Sequence, residues 1–328
     1  MNLAMIGCEH MHAASYIEEA LKIKNVNVLG LAEPDTKIGK PLADQYGIPY
    51  HENYTDLISR DEVDTVCICS SNALHARLTI EAARAGKHVI VEKPIATTIE
   101  DAKEMIKVCK ENGVKLIVAL PCRYIPAVVR AKEIIDSGSI GDIVAITGTN
   151  HGSMPGGWFV EKEKSGGGAI IDHTIHVADI MHWILGKEVE EVFAKGGRYI
   201  HDIEVEDTGL IFMQFKDGPY ATLDTSWNRP KSFPTWGDVN LNIIGTKGSI
   251  QVDSFKQHGK LYSNKHTKSL QSYWGDDMNR LMLEDFVDAI DNDRPSPIPG
   301  EDGLFALQVA IQAYKSIETG EPITGLGA

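Results

Sequence analysis

Short apolar runs alternate with segments of helical periodicity throughout residues 2–119 of this chain. Each run is almost continuously apolar, which is typical of strands that are buried on both faces of a parallel sheet. We predict strands at 2–7, 26–32, 63–69, 88–91 and 115–119, with a further short strand at 47–50. The predicted helices lie at 12–23, 37–46, 73–85 and 98–111. This alternation predicts a doubly wound α/β domain whose parallel sheet carries helices on both faces.

The pattern changes after residue 122, so we predict two domains, at 1–122 and 123–328. In the second domain apolar and polar residues alternate along several strands, which indicates an open, mostly antiparallel sheet with one buried face. We expect residues 256–272, which are polar, to form a strand-poor surface excursion. The predicted strands of this α+β domain are 143–149, 189–196, 209–215, 220–227, 240–245 and 249–253, and its predicted helices are 126–137, 165–185, 276–292 and 303–318.

Composition and charge exclude several classes of function. The net charge of −14 argues against nucleic acid or an anionic membrane as the main partner. Five cysteines without framework spacing indicate a reducing, cytoplasmic setting. We find no run of about 18 apolar residues and no leader-like start, so we expect a soluble intracellular protein without a membrane span.

The end of the first predicted strand, Gly7-Cys8-Glu9-His10-Met11-His12, lies where such sheets bind their ligands. Only the first glycine of the dinucleotide-binding pattern G-x-G-x-x-G is present. Glu9 stands where the backbone approaches the pyrophosphate, and His12 stands where a small residue allows close helix packing. A carboxylate there repels phosphate unless it turns away or binds something else, but the helix N-terminus at residues 10–14, which includes His10 and Met11, still offers free amide donors for the phosphates.

Glu33, at the end of the second predicted strand, is the second candidate for cofactor binding. An acid at this place accepts hydrogen bonds from the adenosine ribose and disfavours a 2′-phosphate, so we expect NAD rather than NADP. The alternative is that Glu33 is a solvated loop residue.

The predicted helix after Gly166-Gly167-Gly168 carries Asp172, His176 and Asp179 on one face. An acid and a histidine one turn apart on a buried helix are costly to desolvate, and a site that transfers protons would justify that cost. The alternatives are a core pair whose polar groups satisfy each other and, for Asp179, a role in packing or capping.

Several motifs along the chain resemble those of the glucose–fructose oxidoreductase, inositol dehydrogenase and rhizopine-catabolism (Gfo/Idh/MocA) family. The most specific are Glu92-Lys93-Pro94 after a predicted strand and the Asp172-x-x-x-His176 pair. The match covers nearly the whole chain, and its other parts are Asn72-x-x-His75, Cys122-Arg123-Tyr124, Gly166 to Ala169, and Gly245-x-x-Gly248. The chain departs from the family at the glycine loop and at His173.

The resemblance implies an N-terminal Rossmann domain that binds NAD and a C-terminal domain that binds substrate and forms oligomers. It assigns cofactor binding to Ser70, Asn72, His75, Glu92, Lys93, Pro94 and Arg123, beside Gly7, Glu9, His10, Met11, His12 and Glu33. Arg123 could equally hold a substrate hydroxyl or brace the domain junction. The Lys93–Pro94 bond is expected to be cis, and a homodimer or homotetramer is expected through the C-terminal sheet.

The implied activity is oxidation of a secondary hydroxyl of a sugar, inositol or related polyol by NAD. Lys93 polarises the hydroxyl, His176 serves as the base, and Asp172 orients the substrate or the imidazole. Two alternatives stay open: a non-catalytic dinucleotide sensor of the same fold, and an enzyme that holds NAD tightly and works through a 3-keto sugar.

Further residues are candidates for contact with the substrate. Trp158 follows a glycine-rich loop and could stack on a sugar ring, while His151 and Trp227 lie close to predicted strand ends. Asp172, His176 and His151 could also be read as ligands of a metal ion, but we expect no metal.

Overall fold

The computed structural model describes residues 1–235, 237–256, 258–263, 265–273 and 277–325. The chain forms two compact units. The first unit comprises residues 1–121, 157–167 and 279–308, and the second comprises 122–156, 168–278 and 309–328. Each unit is therefore built from three separate segments of the chain. The predicted domain division after residue 122 stays a prediction.

The helices and strands of residues 2–119 follow the predicted alternation. They are β1 (Asn2–Ile6), α1 (His12–Ala20), β2 (Asn27–Ala32), α2 (Thr36–Tyr46), β3 (Tyr50–His51), α3 (Tyr54–Ile58), β4 (Thr65–Ile68), α4 (His75–Arg84), β5 (His88–Glu92), α5 (Ile99–Glu111) and β6 (Leu116–Ala119). The remaining elements are α6 (Pro126–Asp136), β7 (Ile143–His151), α7 (Lys162–Ser165), α8 (Ala169–Leu185), β8 (Val189–Gly197), β9 (Thr208–Phe215), β10 (Tyr220–Ser226), β11 (Asn240–Gly245), β12 (Ser249–Asp253), β13 (His258–Ser263), β14 (His266–Tyr273), α9 (Met278–Asp291), α10 (Gly300–Thr319) and β15 (Ile323–Thr324).

The sheet of the first unit is parallel, with the strand order β3-β2-β1-β4-β5-β6. Its central strands are buried on both faces, as their continuous apolar character predicts. The strand order reverses between β1 and β4, so the loops that follow these two strands diverge and leave a crevice at the carboxyl edge of the sheet. This edge is where a ligand of the first unit is expected to bind.

The sheet of the second unit is mixed and mostly antiparallel, in the order β12-β11-β7-β10-β9-β8-β15. Among the described strands of this second sheet, only β7 and β10 pair in parallel. The predicted fold class, a Rossmann sheet and an α+β unit with a large open sheet, is therefore confirmed. Among the described residues, no helix combines the length and apolarity needed to cross a bilayer.

Helix α8 packs directly on the second sheet. A Cβ atom on Gly148 of β7 would lie 2.7 Å from Cγ1 of Val177, and one on Gly209 of β9 would lie 2.6 Å from Cγ1 of Ile170. Val177 and Ile170 are themselves fully buried. The two glycines thus set how closely the helix approaches the strands, which fixes the depth of the side chains that α8 carries.

The expectation of a strand-poor excursion over residues 256–272 is wrong, because β13 and β14 pair there as an antiparallel ribbon. Alternation of apolar and polar residues marks only strands that bury one face, and the sequence of these two strands is mostly polar. A two-stranded ribbon of mostly polar sequence forms its backbone ladder without an apolar face.

Gly148→Ala tests the close approach of α8. The added methyl group must displace the Val177 side chain and the Met181 methyl group, which lies 2.8 Å away. We expect a loss of about 1–3 kcal/mol in the free energy of unfolding, measured by urea denaturation. Gly218→Ala is the matched control, because the nearest atom to its Cβ is the flexible Lys187 Nζ at 3.5 Å. Equal stability of the two variants would contradict the tight packing.

Candidate active site

The loop after β1 begins in close contact with the end of β4, at Gly7. Gly7 has a φ of +80°, and a Cβ atom there would lie 2.9 Å from backbone atoms of Ser70. Its N–H donates to the carbonyl of Ala32, at the end of β2. The one glycine that remains of the dinucleotide pattern is therefore required by sterics, and Ser70 lies against it as the predicted cofactor site needs.

The Glu9 carboxylate turns towards the loop after β4. Its Oε2 accepts the backbone N–H of Ser71 at 2.9 Å. The predicted conflict between this carboxylate and a phosphate is thus relieved by orientation, since the side chain bonds an amide of the same crevice instead.

The amides at the start of α1 are largely engaged already. The N–H groups of His10, His12 and Ala13 donate to Cys69 O, His10 Nδ1 and His10 O. The predicted phosphate site at this helix N-terminus therefore has fewer available donors than its sequence position implies, and Met11, the residue before α1, is exposed.

Glu33 is buried at the end of β2 and is not a solvated loop residue. Its two carboxylate oxygens accept the amides of Cys8 (2.9 Å) and Asp35 (3.0 Å). Burial raises the pKa of Glu33, and the two amides oppose that rise. Each oxygen keeps a second lone pair, so the carboxylate can still accept hydrogen bonds from a ribose.

The segment Glu92-Lys93-Pro94 follows β5 and is held by buried polar side chains. His75 lies with Nδ1 2.8 Å from Pro94 O and Nε2 3.2 Å from Ser70 O, and burial lowers its pKa. Asn72 donates to Ser165 O at 2.8 Å. Lys93 is itself buried, and the bond to Pro94 is cis, as expected. His75 therefore supports the segment that carries Lys93, whereas Asn72 ties the loop after β4 to α7.

Glu92 lies among two histidines. Its Oε1 is 3.3 Å from His12 Nδ1 and 3.7 Å from His10 Nε2. Burial alone would raise the pKa of Glu92, but the charges of His10, His12 and Lys93 outweigh burial and lower it. The sequence did not predict this grouping, although the His-x-His spacing at the end of β1 was a signal for it.

Trp158 lies in the first unit, against the loop after β1. Its indole N–H donates to Glu9 O at 3.0 Å, and its ring stacks on Phe159 at 4.0 Å. The predicted sugar-stacking residue is thus a buried support of the β1 loop. Its role towards a substrate stays a prediction.

In the second unit, Asp172 and His176 lie one turn apart on α8, and His176 is buried. Asp172 Oδ2 accepts the indole N–H of Trp227 at 3.1 Å and lies 3.3 Å from His173 Nε2. His173 Nδ1 is 2.8 Å from the carbonyl of Asn150, so that nitrogen carries a proton. Trp227 is fully buried and orients Asp172, and its predicted contact with a substrate stays a prediction.

The start of α8 is held by Glu206, which the sequence did not point to. One oxygen of its carboxylate accepts the amides of Gly168 and Ile170 and the hydroxyl of Tyr314. Burial raises the pKa of Glu206, and these donors counteract burial. An acceptor at a helix N-terminus also matches the helix dipole. The orientation of Asp172 in the first turn therefore rests on a fixed helix end.

Arg123 and Asp179 form a buried bidentate ion pair. Nε of Arg123 donates to Oδ2 of Asp179 at 2.6 Å, and a second guanidinium nitrogen donates to Oδ1. The guanidinium also lies over the Trp183 ring. These contacts account for Asp179 and fix Arg123 within the second unit, while the predicted roles of Arg123 towards cofactor, substrate or domain junction stay predictions.

His151 belongs to an ionic cluster at the end of β7. Its ring nitrogens lie 3.2 Å from Asp224 and 3.0 Å from Asp238, and Arg229 also contacts Asp238. Burial would lower the pKa of His151, but the two carboxylates raise it to about 9. Among the described residues, the grouping that could hold a metal ion is His10, His12 and Glu92, not Asp172 with His176 and His151.

Comparison with known proteins agrees with these features. The sequence model of the oxidoreductase family with an NAD-binding Rossmann fold matches residues 1–120, and that of the GFO/IDH/MocA C-terminal domain matches residues 128–251. The chain belongs to the Gfo/Idh/MocA family. It is an NAD-binding oxidoreductase, so the predicted family, enzyme class and cofactor are confirmed.

Two curated relatives and one solved structure illustrate the similarity. The uncharacterized oxidoreductase YrbE of Bacillus subtilis is 28% identical over 322 residues (94% of this chain, 92% of YrbE). Myo-inositol 2-dehydrogenase of Thermotoga maritima is 29% identical over 333 residues (97% and 95%). The crystal structure of a probable dehydrogenase from Thermotoga maritima has a TM-score of 0.86 and 25% identity, covering 99% of this chain and 98% of that one.

The pKa of His151 predicts a pH dependence of stability. Because the folded-state pKa of about 9 lies above the unfolded value of about 6.5, protonated His151 stabilises the fold. That contribution is complete below about pH 6.5 and is lost as the pH rises through about 9. We expect the difference in unfolding free energy between the wild type and His151→Gln to shrink over this interval, measured by urea denaturation. A difference that is constant with pH would contradict the ion pairs.

Proposed function

We propose that this chain is an NAD-dependent dehydrogenase that oxidises a secondary hydroxyl of an inositol, a sugar or a related polyol. The observation that carries the proposal is the buried Lys93 after β5, in a chain that also carries the Asp172 and His176 pair on α8. The relative from Thermotoga maritima, named myo-inositol 2-dehydrogenase, supports the substrate class.

The roles of the three side chains follow from their chemistry. NAD, when bound, accepts the hydride from the carbinol carbon. Lys93 donates a hydrogen bond to the reacting hydroxyl and stabilises its alkoxide character. His176 takes the hydroxyl proton, because an imidazole titrates near the working pH. Asp172 orients the hydroxyl or the imidazole, and the indole N–H of Trp227 holds its carboxylate in place.

The residues of the first unit fit NAD in its adenosine half and less well at the pyrophosphate. Glu33 is buried where a ribose acceptor is needed, and its charge disfavours a 2′-phosphate. Gly7 allows the loop after β1 to approach Ser70 closely. The amides of His10, His12 and Ala13, however, already have acceptors within the protein. This last observation favours the second candidate, a sensor that binds the dinucleotide without catalysis.

We also propose that the chain forms a homodimer or homotetramer, and that the open face of the second sheet is the interface between its copies. Large apolar side chains are exposed on the face turned away from α8, among them Leu210 of β9 and Tyr220 of β10. Apolar exposure of this kind is typical of a surface that another protein chain covers. A cytoplasmic location stays a prediction.

Lys93→Met separates catalysis from cofactor binding. The variant keeps the length of the side chain but removes its charge, so we expect turnover to fall by about 10²–10⁴-fold. The rise in Tm caused by NAD should persist, and NADP should raise Tm less. The measurement is NADH absorbance over a panel of inositols and sugars, together with thermal denaturation.

Lys110→Met, on the exposed side of α5, is the control and should behave as the wild type. Wild-type turnover in Lys93→Met would remove Lys93 from the mechanism. An NAD-dependent rise in Tm without turnover on any polyol would favour the sensor, and no rise with either dinucleotide would contradict both candidates.

Trp227→Phe tests the positioning of Asp172. The change keeps the buried ring but removes the N–H that Asp172 accepts, so the carboxylate is protonated more easily. We expect kcat to fall by about tenfold, since one hydrogen bond to a charged group is lost, and the acidic limb of its pH profile to move to higher pH. Trp183→Phe, on the same helix, should leave the profile unchanged. An unaltered profile in Trp227→Phe would contradict the role of Trp227.

A further inference from the structure

Three metal-ligating side chains converge in the first unit, at the carboxyl ends of β1 and β5. They are His10, His12 and Glu92, each offering one ligand atom, and these atoms all lie within 4.8 Å of one another. The distances from Glu92 Oε1 are 3.3 Å to His12 Nδ1 and 3.7 Å to His10 Nε2. Donors bound to a first-row metal ion at about 2.0–2.2 Å are separated by distances of this size.

We propose that His10, His12 and Glu92 bind a divalent first-row transition metal ion, with Zn²⁺ as the best match. Two imidazole nitrogens and one carboxylate oxygen form a donor set that suits such ions and suits Ca²⁺ or Mg²⁺ poorly. Three protein ligands leave at least one coordination position for water or another oxygen ligand.

An independent observation points to a cation at this place. Glu92 is fully buried, and among the described residues its second oxygen, Oε2, makes no hydrogen bond of good geometry, although the Tyr16 hydroxyl interacts with the carboxylate. A buried carboxylate whose second oxygen lacks a well-formed hydrogen bond is costly, and a metal ion bound to it would remove that cost.

The surroundings hold one ligand rigid and leave another accessible. His10 lies against the rings of Trp158 and Phe159, with centroids at 6.0 and 5.3 Å, and is buried. The side chain of His12 is 28% exposed, which gives an ion a path from solvent. The site is thus enclosed at His10 and accessible to solvent at His12, which gives a metal ion the entry path that binding requires.

Metal binding requires one local change. Nδ1 of His10 accepts the N–H of His12 at 3.2 Å, so the neutral ring carries its proton on Nε2, facing Glu92. The ion takes the place of that proton, and the ring then carries its proton on Nδ1. The contact with the His12 amide opens in the same step, and that amide becomes available to another acceptor.

The experiment is a titration of the whole protein, stripped with a chelator and free of dinucleotide and polyol, with Co²⁺ and then Zn²⁺. We expect Co²⁺ to produce visible absorption bands at one equivalent, Zn²⁺ to displace it, and Zn²⁺ to raise Tm. His12→Gln and Glu92→Gln should each weaken binding by more than about tenfold, since each removes a ligand. His182→Gln on α8, whose Nδ1 lies 2.9 Å from Lys187 O, should bind as the wild type does.

Absence of the Co²⁺ bands in the wild type, or unchanged affinity in His12→Gln, would overturn the proposal. His12 is partly exposed at the first residue of α1, so its variant decides the matter even if Glu92→Gln fails to fold. Because neither cofactor nor substrate is present, the result is independent of the proposed dehydrogenase activity.

Discussion

A carboxylate that leaves water must be met by hydrogen-bond donors or by positive charge, and this requirement shapes both units. In the first unit Glu33 accepts two amides, and Glu92 lies between two imidazoles. In the second unit Asp172 accepts an indole N–H, and Asp179 accepts the N–H groups of a guanidinium. Apart from Asp35, two residues from Glu33, these partners lie 25 or more positions away along the chain, so the buried acids tie separate loops into fixed positions.

Local periodicity was enough to predict most of the fold. The strands of the first sheet are buried on both faces and the strands of the second on one face, and these two patterns are distinct in the sequence. The ribbon of β13 and β14 was not predicted, because its sequence is mostly polar. The sequence also did not predict that residues 157–167 and 279–308 belong to the first unit. No local sequence pattern shows which unit a segment packs against.

The candidate site was only partly predictable, for a different reason. The sequence placed Asp172 and His176 on one face of a helix, because that depends on spacing alone. It could not show that Trp227 donates to Asp172 or that Glu206 holds the helix start, since those bonds join residues more than thirty positions apart. Trp158 was predicted to stack on a sugar, but its N–H donates to Glu9 O. An aromatic residue after glycines has the same sequence signature in either role.

The altered loop after β1 can be understood through the same requirement. A glycine at the third position of the dinucleotide pattern lets helix and strand pack closely, and here His12 stands there instead. Close packing of α1 survives because Ala13, Ile17 and Ala20 are fully buried, while His12 turns its ring towards Glu92. The loop thereby loses an amide donor, as the N–H of His12 is taken by His10. A metal ion on these histidines would release that amide and add positive charge at the same edge of the sheet, and both changes favour an anionic group there.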